Sequence, residues 1–122
     1  MNIIISNTSD KPIYQQIYEQ ISNQIINGEI KSDSALPSIR NAAKELRVSI
    51  ITVKKAWEEL ERNRFIYTRT GKGCFVSSLS PADKESMKQV LAEEQMKKDI
   101  VYYQELGLTF DEVSALVKSC WD

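Results

Sequence analysis

Cations and small hydroxyls carry the chemistry this sequence suggests. Arg40, Lys54, Lys55, Arg69 and Lys72 stand within one stretch of the chain, interleaved with Ser38, Ser49, Thr52 and Thr70. Such a set suits charge-assisted hydrogen bonding to phosphate oxygens better than the making and breaking of bonds. Catalysis lacks its usual parts. There is no His, so the commonest general base and metal ligand are missing. The two cysteines, Cys74 and Cys120, match no metal or redox spacing and read as buried or inert thiols of a reducing cytosol. The remaining Glu, Lys and Tyr side chains are scattered, with no nucleophile–base pair or carboxylate dyad among them. No enzyme activity, cofactor or metal is expected.

The net charge of −1 conceals a segregation of charge along the chain. From Leu36 to Val76 nine bases stand against four acids, giving +5. From Ser77 to Asp122 five lysines face nine carboxylates, giving −4, and the first 35 residues contribute −2. A basic stretch between acidic ones hints at a portion that binds a polyanion, although an unevenly charged solvated surface would look the same.

The elements that must position these residues follow from periodicity and capping. The chain of 122 residues, 42% of them hydrophobic, can fill one modest core, which a partner subunit would supplement. Asp10 is a candidate cap and Pro12 suits the first turn of a helix. Ile13, Ile17, Ile21 and Ile25 form its apolar face, with Tyr14 and Tyr18 alongside and Gly28 placed to end it. A loop from Glu29 to Pro37 follows. Ser38 caps a short second helix carrying Ile39, Ala42, Ala43 and Leu46 inward. Arg47-Val48 makes a tight connection. Ser49 then caps a third helix that buries Val53, Ala56, Trp57 and Leu60 and turns Ile50, Thr52, Lys54, Lys55 and Glu58 outward. Two helices joined by a short turn, the second with a basic outer face, form the helix-turn-helix pattern. Phe65–Arg69 and Cys74–Val76 read as two strands. Thr70-Gly71-Lys72-Gly73 between them supplies turn chemistry for a hairpin, in the place of a wing.

The expected fold class is therefore mostly α with a small β-hairpin. A winged helix-turn-helix domain (1–78) precedes a helical tail (79–122). The tail reads as a long polar-rich helix from Ala82 to Leu106, a break at Gly107, and a last helix opened by the capping box Thr109-Phe110-Asp111-Glu112. It holds too little apolar material for a core of its own. Its apolar face calls for a second copy of the tail, or for folding back on its own domain. The N-terminus lacks the basic region and small-residue cleavage site of a signal peptide, and no apolar run is long enough to span a bilayer. A cytoplasmic protein without a membrane partner is expected.

Leu36-Pro37-Ser38-Ile39-Arg40, Ala43, Leu46, Val48-Ser49, Thr52-Val53-Lys54, Ala56, Glu59-Leu60, Ile66-Tyr67, Gly71-Lys72-Gly73 and Phe75-Val76 together resemble the DNA-binding domain of the GntR family. The resemblance covers residues 11–77, and the short tail is similar to the YtrA-like subfamily, which lacks a large effector-binding domain. Two positions depart from the pattern. Ile50 stands where most of the family has arginine, as in many YtrA-like members. Arg64 stands where the family usually has glycine, so Asn63 is expected to take the left-handed conformation there.

The resemblance implies double-stranded DNA as the partner and a recognition segment from Ser49 to Asn63. The expected contact set is Ser38, Arg40, Ser49, Ile50, Ile51, Thr52, Lys54, Lys55, Arg69, Thr70, Gly71, Lys72 and Gly73. Arg40 would meet backbone or a guanine edge, Ser49 and Thr52 phosphates, and Ile50 or Ile51 a thymine methyl, one of the two being a candidate for the core instead. Lys54 and Lys55 would reach phosphates, and Arg69 to Gly73 would lay the wing along the minor groove. The alternatives are a surface Arg40 paired with Glu45 and a Ser49 that serves only as a cap. A homodimer through the C-terminal helices, bound to an inverted repeat, would repress a nearby operon, often that of a transporter. Any small-molecule effector would have to bind at the dimer interface or between tail and DNA-binding domain. The rival reading is a winged-helix protein-interaction module, disfavoured by the +5 segment and the polar tip of the third helix.

Overall fold

Isoleucines spaced one helical turn apart set the first element. In the computed structural model, which describes all 122 residues, α1 (Ile13–Ile26) buries Ile17, Ile21 and Ile25 on one face. Its start differs from expectation. Pro12 is the N-cap and no side chain caps that end, so Asp10 lies two residues before the cap. The turn before it is held by Gln16, whose Nε2 donates to the carbonyl of Lys11 at 2.9 Å.

α2 (Ile39–Leu46) and α3 (Ile50–Arg62) open as the capping rules require. Ser38 Oγ accepts from the backbone N–H of Asn41 and Ser49 Oγ from that of Thr52, both at 3.1 Å. Each such cap is worth about 1 kcal/mol. Ala42 and Ala43 of α2 and Val53, Ala56, Trp57 and Leu60 of α3 are all buried, and both α1 and α2 pack on α3.

Helix ends explain two unusual arginines. Gly28, Arg47, Arg64 and Gly107 all have positive φ. Arg47 directly follows its helix and the other three stand two residues past theirs, and in each case paired reversed bonds close the last carbonyls. After α3, for example, Arg64 N–H donates to Glu61 O at 3.0 Å and Phe65 N–H to Leu60 O at 2.9 Å. Arg64 (φ 66°) therefore holds the left-handed position, and Asn63 (φ −91°) does not, contrary to expectation. The closing bonds need the left-handed residue at 64, because the chain must reverse there to drop Phe65 into the core. Burying Phe65 stabilises by about 1.5–3 kcal/mol, enough to offset the roughly 1–2 kcal/mol that a non-glycine residue loses in this conformation. Asn63 instead donates from Nδ2 to Glu59 O and to Tyr18 Oη, both at 3.1 Å.

The hairpin pairs β1 (Ile66–Arg69) with β2 (Gly73–Val76) antiparallel, Ile66 opposite Val76 and Arg69 opposite Gly73. The segment read as a loop supplies a third edge. Ala35 bridges Phe75, flanked by Leu36 N–H to Cys74 O and Val76 N–H to Ser34 O, each at 2.9 Å. This edge roots the wing in the domain.

The first residues are tied down by a row of glutamine amides on α1. Gln20 exchanges two hydrogen bonds with the backbone of Ile4, at 2.8 and 2.7 Å, and Gln16 does the same with Ser6, at 2.8 and 3.0 Å. Gln24 reaches Asn2 O at 2.6 Å. Side chains at i, i+4 and i+8 share one helix face and meet alternate residues of an extended chain, so the amides stand in for a neighbouring strand.

The chain divides into two units, 1–81 and 82–122. In the second, α4 (Pro81–Glu105) and α5 (Phe110–Cys120) contain no buried residue. Thr109 and Glu112 form the expected capping box at the start of α5. Met96, Val101, Tyr102, Leu106, Phe110 and Trp121 are all exposed. No helix is long and apolar enough to cross a membrane.

Candidate nucleic-acid interface

The leading turn of α3 projects its side chains outward. Ile51 is 78% exposed and Ile50 46%, so neither isoleucine serves the core, and the expectation that one might is corrected. The reason is their place on the helix. Val53, Ala56, Trp57 and Leu60 fill the inward stripe and Ile51 falls opposite to it, while Ile50 shares the side of Val53 and Trp57 but stands in the first turn and stays 46% exposed. Ser49 and Thr52 are coupled, their hydroxyl oxygens 2.7 Å apart. Ser49 is thus a cap, and one hydroxyl hydrogen of the pair is committed internally.

The cations of this segment are largely free of internal partners. Among its nine bases only Arg62 is ion-paired, with Glu59 on the same helix. Arg40, exposed in the first turn of α2, does not pair with Glu45. Lys54 is likewise exposed and unpaired. Lys55 is exposed too, but its Nζ sits 4.0 Å from the centroid of the Tyr14 ring on α1.

The wing positions its own arginine in a similar way. Tyr67 and Phe75 stack across β1 and β2 with centroids 5.8 Å apart, and the guanidinium carbon of Arg69 lies 5.9 and 5.7 Å from their centres. Tyr67 Oη donates to Asp33 Oδ1 at 2.9 Å, tying the wing to the bridging segment. That bond, with Asp33's charge and some desolvation, holds the Tyr67 hydroxyl above the ordinary tyrosine value of 10.0, against an opposing pull from Arg69. Lys72 N–H closes the turn onto Arg69 O at 2.9 Å, with Gly71 at φ 76°, a conformation that position demands of glycine. Thr70 to Gly73 are all exposed at the tip.

Every residue of the expected contact set is thus exposed except Thr52, which is half-buried. The residues that seat the cations, Tyr14, Tyr67 and Phe75, lie outside the expected contact set. The available signal was that Tyr14 and Tyr67 lie beside their apolar stripes, where an aromatic face stays open to a cation.

A helix-turn-helix with an outward basic second helix, followed by a rooted hairpin, defines a winged-helix DNA-binding regulator. Residues 13–76 match the model of the bacterial regulatory proteins of the gntR family. The chain belongs to that family. Its members here are transcriptional regulators, and the chain is not an enzyme. It is 31% identical to the HTH-type transcriptional repressor YtrA of Bacillus subtilis, over 95% of this chain and 89% of that one. Among solved structures, a transcriptional antiterminator from Listeria monocytogenes EGD-e superposes with TM-score 0.74 at 30% identity, covering 100% of this chain and 91% of that one. The DNA-binding domain of AraR in complex with operator ORX1 superposes with TM-score 0.55 at 28% identity, covering 63% of this chain and 96% of that one.

Proposed function

We propose that this regulator is a homodimeric repressor that binds an inverted-repeat operator through residues 1–78, joined by the helices of residues 79–122. The observation that carries the reading is the leading turn of α3, where Ile51 is 78% exposed beside unpaired Lys54. Such a turn enters the major groove in this docking mode, with the isoleucine offered to thymine methyls and the lysines to phosphates. Arg40 and the wing residues Arg69 to Gly73 add contacts to the flanking backbone. The similar AraR domain in complex with its operator supports this use of the fold. The dimer follows from the tail, where neither helix has a buried residue and the apolar face of α5 needs a partner, and a second copy supplies one. By family resemblance the expected target is a nearby operon, often that of a transporter.

Selection of bound sequences from a random duplex pool tests the reading. Recovered sites should be inverted repeats whose halves lie one helical turn, or a small multiple, apart. Sedimentation of the full chain should give a dimer that truncation at residue 78 reduces to a monomer. Recovery of no enriched sequence, with no retention on random duplex at low salt, would leave a protein-docking module as the better reading.

A further inference from the structure

Lys55 differs from its neighbour Lys54 in being held. It follows Ile51 by four residues, so the two share one face of α3, and both are exposed. Its ammonium rests 4.0 Å from the centre of the Tyr14 ring, which α1 presents half-buried. α1 and α3 pack together in the domain core, so the ring has a fixed place relative to α3. The cation has no carboxylate partner. An ammonium has three donors, and one that lies on an aromatic face still has N–H groups turned away from the ring for an oxygen acceptor. A free lysine loses rotamer freedom when it meets a phosphate, whereas one already seated loses less.

We propose that Tyr14 is a positioning residue for DNA binding: its ring holds the Lys55 ammonium ready for a backbone phosphate beside the groove that Ile51 enters. The inference rests on the reading of α3 as the recognition helix. It assigns a DNA-binding role to an α1 side chain outside the expected contact set. The work is done by the ring face and not by the phenolic hydroxyl.

The test is a double-mutant cycle on the full chain, read by anisotropy of a labelled duplex recovered from the random pool, over a salt series. Tyr14→Phe keeps the ring and should bind as the wild type does. Tyr14→Leu should weaken binding about two- to fivefold for each bound head, the scale of an exposed cation–π contact. Lys55→Gln should lower the salt slope by about 0.9 for each bound head. The Tyr14→Leu/Lys55→Gln double variant should bind no more weakly than Lys55→Gln alone. Additive losses, or a Tyr14→Phe variant as weak as Tyr14→Leu, would overturn the proposal. If Tyr14→Leu fails to fold, the wild type still decides by NMR. The Lys55 ε-methylene protons should be ring-shifted upfield of those of Lys54 and stay so at saturating duplex, and loss of that shift on binding would overturn the proposal. A wild type that does not bind duplex at all would refute the regulator reading itself. A wild type that binds while the cycle is additive would refute only the role of Tyr14.

Discussion

Replacing Arg40 or Lys54 with alanine should separate folding from DNA binding. Both side chains are exposed and neither is ion-paired. Their removal therefore deletes no internal interaction, and the stability change should stay within about 0.5 kcal/mol. For a domain of this size that is a melting shift of no more than about 2–4 °C. Binding should respond far more. Each phosphate contact contributes about 0.9 to the slope of log affinity against log salt, so a dimer that loses one contact per head loses about 1.8. Between roughly 50 and 200 mM salt, such a variant would shed about tenfold less affinity than the wild type. A slope change near 0.9 instead would mean that only one head engages. If Arg40 grips a guanine edge, its replacement should cost about 1–3 kcal/mol on the selected site, with selectivity at one base pair relaxed. Anisotropy across a salt series, paired with thermal melts, measures both halves of the argument. Unchanged affinity and slope in both variants would refute the docking geometry, and a large melting shift would refute the claim that these cations are free.

Other substitutions probe neighbouring parts of the site. Ser49→Asp keeps an N-cap as good as serine and adds favourable charge at the helix start, so melting should hold or rise. The same carboxylate faces phosphate, and binding should fall about tenfold or more; undiminished binding would turn the leading turn of α3 away from DNA. Arg64→Gly relieves the left-handed backbone at φ 66° and should stabilise by about 1 kcal/mol in denaturant titration; a loss of stability would mean that the arginine side chain has a structural role. Tyr67 ionises above the ordinary tyrosine value because its hydroxyl is bonded to Asp33. The folded state thus holds that proton more tightly, so the contribution is complete below about pH 10 and lost as pH rises through the raised value. The stability gap between wild type and Tyr67→Phe should be flat below pH 10 and narrow above it, and a gap that ignores pH would count against the Asp33 bond.

Much of the candidate face was legible from the residues alone. Ser38 and Ser49 announced the starts of α2 and α3, Val53 to Leu60 marked the inward stripe, and what remained of α3 had to face outward. The wing was readable as two β-prone runs about a glycine turn. Less visible were the parts that carry no local signature. Ser34-Ala35-Leu36 is too short for an alternating pattern to register, yet it completes the sheet. The glutamines of α1 look like ordinary polar helix positions until the N-terminal chain is laid beside them.

The division has a single physical cause. Helical period, cap chemistry and turn preference act over a few neighbouring residues, so composition and spacing along the chain were enough to specify five helices, a hairpin and a basic segment. Contacts between distant residues depend on where packing brings them. Arg64, not Asn63, takes the left-handed position because Phe65 must reach the core. Lys55 finds Tyr14, and Tyr67 finds Asp33, because α1 lies against α3 and the bridging segment lies against the wing. No pattern in the linear chain contains those distances, and they determine which cations are held and which are free.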